Sequence, residues 1–123
     1  QSYEKLLKEA ALITGEAGKG SVKISFTNRG ADHNMPTGKY GDYRIVLNTQ
    51  VKESDGKTIF SKEEIFSTLK KNGVPPQKAV TFEYPIPFET GKRYKVNSSL
   101  LYQMEGRPEQ LVASWNGEIE GGK

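Results

Sequence analysis

The sequence predicts an all-β fold, an antiparallel sandwich of about seven short strands with a short N-terminal helix. Two observations carry this. Apolar and polar residues alternate over short runs through most of the chain, the period of a half-buried strand. Turn signals rich in Gly, Pro, Asn and Asp separate those runs at the regular spacing of a sandwich. A chain of 123 residues makes one domain, large enough to bury a core without disulfides, and it has no cysteine.

Ser2 to Ile13 reads as an amphipathic helix. Ser2 is placed to cap it, Leu6, Leu7, Ala10 and Ile13 recur at helical spacing, and Gly15 and Gly18 end it. The expected organisation is therefore a linker helix over 1–18 and a sandwich over 19–123. The chain begins at Gln1 rather than methionine, as expected of a processed product or of a segment of something longer.

From Gly20 the period changes to two. Val22, Ile24 and Phe26 alternate with Lys23, Ser25 and Thr27. Tyr43 to Lys52 follows, with Tyr43, Ile45, Leu47 and Val51 on one face. Ser54-Asp55-Gly56-Lys57 turns the chain into a hairpin with Thr58 to Phe60. Ile65 to Leu69 fits either a short strand or one helical turn. The prolines of Asn72-Gly73-Val74-Pro75-Pro76-Gln77 make that stretch a loop. Val80, Phe82 and Tyr84 form the next strand, closed or kept at an edge by Pro85 and Pro87. Tyr94, Val96, Leu100 and Tyr102 mark another, Leu111 to Trp115 the last, and Asn116-Gly117 leads on to a final apolar residue, Ile119. Ig- and fibronectin-like sandwiches share this pattern.

Composition narrows function by exclusion. Eighteen basic residues face fifteen acidic ones, and no Lys/Arg run exceeds two, so the spread-out charge argues against nucleic acid. Nothing resembles a membrane span or a signal peptide, so no membrane insertion is expected. The missing cysteines exclude disulfides, thiol catalysis, thiolate zinc sites and covalent haem attachment within these residues. Phosphate-cradling motifs and a nucleophile elbow are absent. Glu63 and Glu64, being adjacent, face opposite ways on a strand and make no acid–base pair. The chain reads as no enzyme. The aromatics Tyr84, Phe88, Tyr94, Tyr102 and Trp115 fall in register with core positions, so packing is their expected role rather than a carbohydrate platform.

One stretch stands apart, the loop from Asn28 to Asp42. It holds the sole histidine, His33, with Met35 and the turn Pro36-Thr37-Gly38. Constrained loops of this kind commonly carry function. His33 and Met35 together offer an imidazole and a thioether, a fragment of a soft copper or haem-iron site. Three roles are open: His33 holds the loop by hydrogen bonds while Met35 covers the core edge; His33 ligates the iron of a haem held elsewhere; or the pair binds copper. Copper would need a second soft donor, and Met104 is the candidate. Asp32 and Asp42 flank the loop, placed to cap turns or to orient the imidazole.

The segment VKISFTNRGADHNMPTG, followed by a strand containing Arg44, resembles a haem-free β-sandwich module of bacterial multihaem c-type cytochromes. The matching positions are Thr27, Asn28, Gly30, His33, Pro36, Thr37, Gly38 and Arg44. VPPQKAVTFEYPIP is similar to that module's Pro-Pro-Gly turn and following strand, and RYKVNSSLLYQ to its penultimate strand. Two positions depart: Asp32 stands where a glycine precedes the histidine, and Gln77 replaces the glycine of the Pro-Pro-Gly turn. The resemblance implies a periplasmic or extracellular location, with haem c in neighbouring domains or a partner cytochrome. It implies a non-catalytic role in electron transfer by docking, spacing or shielding haem domains, with His33 as a distal haem ligand. A cell-surface binding or adhesion module of the Ig type is the alternative, and a small periplasmic copper-binding protein a third.

Overall fold

The computed structural model describes residues 8–30, 34–36, 43–68, 70–104 and 106–122. Among them lie seven strands: β1 (Ala11–Gly18), β2 (Ser21–Asn28), β3 (Tyr43–Glu53), β4 (Thr58–Ser67), β5 (Lys78–Pro85), β6 (Arg93–Met104) and β7 (Gln110–Glu120). They form a three-stranded sheet in the order β1-β2-β5 and a four-stranded sheet in the order β4-β3-β6-β7. Every described strand pair is antiparallel. The expected all-β sandwich is what the chain forms.

Alternation along each strand builds the core. Val22, Ile24 and Phe26 of β2 face Ile45, Leu47 and Val51 of β3 and Val96 and Leu100 of β6 across the sandwich, all of them buried. Each such aliphatic or aromatic side chain contributes roughly 1.5–3 kcal/mol by leaving water. The buried hydroxyls of Thr49 and Ser98 meet each other at 3.0 Å, so neither is left without a partner in the interior. β5 is an edge strand, as Pro85 requires, because an edge position needs no donor on its open side.

The two long sides of the sandwich close differently. On one, Trp115 of β7 lies against Gly15 and Gly117. A Cβ built at Gly15 would stand 2.6 Å from the indole, and one at Gly117 2.5 Å, so both positions must lack a side chain. On the other, Phe60 and Phe66 of β4 meet Tyr84 and Phe82 of β5, with ring centroids 5.2 and 6.2 Å apart. There the Tyr84 hydroxyl donates to Glu64 at 2.8 Å. Burial pushes that hydroxyl's pKa upward, and the bond to Glu64 and its charge add to the shift.

The N-terminal expectation needs correction. Helix is present over 8–10 in the described part of Ser2 to Ile13, and Ala11 begins β1, which pairs with β2 over its full length. The strand thus lies inside the span assigned to the linker. Gly15 does not stop a helix; it seats Trp115. The ambiguous stretch after Ile65 resolves as strand up to Ser67, the end of β4.

Candidate functional site

The loop singled out in the sequence joins β2 to β3 and so crosses from one sheet to the other at one end of the sandwich. The connection from β4 to β5 crosses at the same end. Asp32, His33, Thr37, Gly38 and Asp42 lie outside the described residues. Met35, Pro36 and Arg44 lie within them.

Asn28, the last residue of β2 and fully buried, anchors the base of the loop. Its Nδ2 donates to the carbonyl of Val74 at 2.9 Å, and its Oδ1 accepts the backbone N–H of Gly30 at 2.9 Å. One side chain therefore ties the exit of β2 to the opposing loop and to its own chain. Met35 and Val74 then exchange two backbone hydrogen bonds of 2.9 and 2.8 Å, an isolated antiparallel bridge beyond the strands. Gly73 lets the two backbones approach, because a Cβ there would stand 2.8 Å from the Met35 carbonyl oxygen. The Met35–Pro36 peptide is cis.

Gln77 completes the clamp. Its backbone N–H donates to the Asn28 carbonyl at 2.8 Å, and its φ is 61°, in the left-handed region where glycine is favoured. This is the position at which the sequence departs from a Pro-Pro-Gly turn. The side chain compensates, since its Nε2 donates to the carbonyls of Arg29 and Gly30 at 2.9 and 3.0 Å. Asn72 secures the far flank, accepting from the Ser67 N–H and donating to the Ile65 carbonyl.

Gly30 and Met35, both pinned by these bonds, bracket the short span that contains His33. Met35 is 5% exposed and packs in the core cluster, where Val74 joins it. Met104, the second thioether, packs partly buried against the same core and is paired with Tyr43. Arg44 is exposed on β3, between Ser67 and Gln103 in register. No group of three His, Cys, Asp or Glu side chains that could hold a metal occurs among the described residues. These hydrogen bonds join the end of β2 and Met35 to the connection between β4 and β5. Sequence reasoning placed Asn28 and Gln77 within motifs but assigned neither a role, and it missed the contact between Gly73 and Met35.

No protein-family model and no curated protein sequence matches this chain. The fold is similar to part of a penta-haem cytochrome c552 from Thermochromatium tepidum, with a TM-score of 0.73 and 16% identity, covering 95% of this chain and 41% of that one. It is also similar to part of a β-glucuronidase from Bacteroides uniformis, with a TM-score of 0.50 and 10% identity, covering 91% of this chain and 13% of that one. The chain thus spans less than half the length of either protein. At these identities the likeness is one of fold.

Proposed function

We propose that this chain is a haem-free, non-catalytic β-module of a multihaem c-type cytochrome, working in the cell envelope. It supports electron transfer by docking, spacing or shielding haem domains, and its loop presents His33 as a distal ligand to a haem held by a neighbouring domain or partner. The observation that carries this is the clamp of Asn28, Gly73 and Gln77, which holds Gly30 and Met35, the described residues closest to the clamp on either side of His33. The fold likeness to a segment of a penta-haem cytochrome supports it.

The donor set agrees with that division of labour. Covalent attachment of haem c requires thiols, and the chain has none. Met35 is folded into the core, which leaves the imidazole of His33 as the donor that the His33–Met35 pair can offer to iron. Iron would supply the redox chemistry. This chain supplies the nitrogen, the rigid mount, and a wall of sandwich that limits solvent around a docked haem. A mount of this kind lowers the entropy lost when the imidazole is fixed on iron.

The test is His33→Ala in the full-length protein, followed by optical and electron paramagnetic resonance spectra. Loss of one distal imidazole turns one low-spin haem high-spin and leaves the others unchanged. Spectra identical to the parent's contradict the ligand role of His33.

A further inference from the structure

Charge is unevenly divided at the end of the sandwich where β2 crosses to β3 and β4 to β5. The connection from β4 to β5, over residues 68–77, carries Lys70 and Lys71 and no carboxylate. Three more cations flank it. Lys78 opens β5, and Arg29 is tied to Gln77 through its carbonyl. Arg44 pairs in register with Ser67, whose carbonyl accepts the Lys71 N–H at 3.0 Å. All five residues are exposed. On the other side, where β1 meets β7, the signs nearly balance. The ten residues leading into β1 carry two bases and two acids, and the turn from β6 to β7 carries Arg107 with Glu105 and Glu109. The β2–β3 loop adds Asp32, Lys39 and Asp42, which lowers the cationic excess by one and leaves it positive.

Two observations set these cations apart from ordinary surface charge. Away from this end, Lys23 meets Glu83 at 3.8 Å, and Lys92 meets Glu53 and Glu89 at 3.4 and 3.3 Å. Arg29, Lys70, Lys71 and Lys78 make no ion pair among the described residues. The connection beneath them is also held in one shape. Lys71 and Gln77 have φ of 57° and 61°, two of the three described non-glycine residues with positive φ. Asn72 bonds to Ser67 and Ile65, and Gln77 to Arg29 and Gly30. Charges mounted on a fixed backbone lose less entropy when a matching partner docks.

We propose that this cationic rim docks an acidic protein surface, the carboxylates of the haem-bearing domain that receives His33, haem propionates among them. The identity of the partner rests on the haem-module reading. Arg29 is next in the chain to Gly30, and Lys78 pairs with Asn28, so a domain that reaches His33 comes up against both. An arginine fork grips a carboxylate through two bonds, and lysines add point charge. Such a rim steers the partner and sets its orientation more than it tightens the complex. The cations form no long basic stripe of the kind that nucleic acid requires. Nor do they flank an apolar anchor for a membrane, since Leu111, the large apolar residue exposed among the described ones, lies on β7.

The test titrates the purified chain at about 20 mM salt with two probes, an octaglutamate peptide and a haem c peptide whose distal position is open. Amide chemical shifts map the contact and the absorbance of the haem reports its ligation. Both probes should shift the amides of Arg29, Lys70, Lys71 and Lys78, and about 0.5 M salt should abolish the effect of octaglutamate. Lys70→Glu/Lys71→Glu should weaken octaglutamate binding at least about tenfold, and Lys52→Glu/Lys95→Glu, at the opposite end, less than about twofold. Octaglutamate that binds as before to Lys70→Glu/Lys71→Glu, shifts elsewhere on the chain, or equal losses in the two variants overturn the proposal. Tighter binding to phosphatidylglycerol vesicles than to either peptide overturns the choice of a protein partner. If octaglutamate binds the rim while the haem spectrum stays unchanged, the rim stands and the ligand role of His33 falls.

Discussion

Replacing Asn28 with Ala should loosen the mount of the His33 loop while leaving the sandwich intact. The side chain is fully buried and, among the described residues, donates to the Val74 carbonyl and accepts from the Gly30 N–H. Each is worth about 1 kcal/mol net, and leaving Gly30 N–H unsatisfied adds up to about 1 kcal/mol more. Val74 adds no such penalty, because its carbonyl still accepts from Met35 N–H. The expected loss is about 2–3 kcal/mol, which for a domain of this size lowers Tm by roughly 8–12 °C. Thermal and urea unfolding measure the loss. Amide hydrogen exchange locates it: protection should fall at Gly30, Met35 and Val74 and hold in the middle of β2. Asn28→Asp keeps the acceptor but sets an oxygen against the Val74 carbonyl, so at neutral pH it should lose at least as much. A loss under about 0.5 kcal/mol, with exchange unchanged at Gly30 and Met35, would refute the clamp.

Other substitutions probe the remaining parts. Gly73→Ala forces a Cβ against the Met35 carbonyl and should cost about 1–3 kcal/mol, with the Met35–Val74 bridge amides losing protection. At Gln77, Ala keeps the left-handed backbone and loses both side-chain bonds, whereas Gly loses the bonds but relieves about 1 kcal/mol of strain. Gln77→Gly should therefore unfold at a higher temperature than Gln77→Ala, and the reverse order would remove the strain argument. Gly15→Ala should displace Trp115, read as a red-shifted fluorescence and a loss of about 1–3 kcal/mol. The raised pKa of Tyr84 means the folded state holds that proton more tightly than the unfolded chain. This stabilisation is complete below the unfolded value of about 10 and is lost as pH rises toward the folded one. Above about pH 10 the parent should lose up to about 1.4 kcal/mol per pH unit more than Tyr84→Phe, and parallel curves would contradict that.

Much of the fold was legible because most strands bury one face and leave the other wet. Val22, Ile24 and Phe26, or Tyr94, Val96 and Leu100, announce strands by alternation alone. β1 was not, since Leu6, Leu7, Ala10 and Ile13 also satisfy helical spacing. What decides for strand at Ala11 is pairing with Asn28 and the neighbours that follow, a non-local choice that local spacing does not encode. Gly15 misled for the same reason: a glycine that ends a helix and a glycine that seats an indole look alike in sequence. At the loop, the motif marked a stretch of chain, while the bonds that hold its described residues stayed hidden. The φ of Gln77 and the depth of Asn28 exist only once the two crossing connections meet.

The central claim is that this sandwich serves haem domains, and the most direct measurement is the complete coding sequence around it, read together with the haem content of the purified native protein. The account predicts several Cys-x-x-Cys-His motifs, in the same chain or in a co-purifying partner, and bound haem c in matching number. A native protein that carries no such motif, and that purifies without haem or a haem-bearing partner, contradicts it.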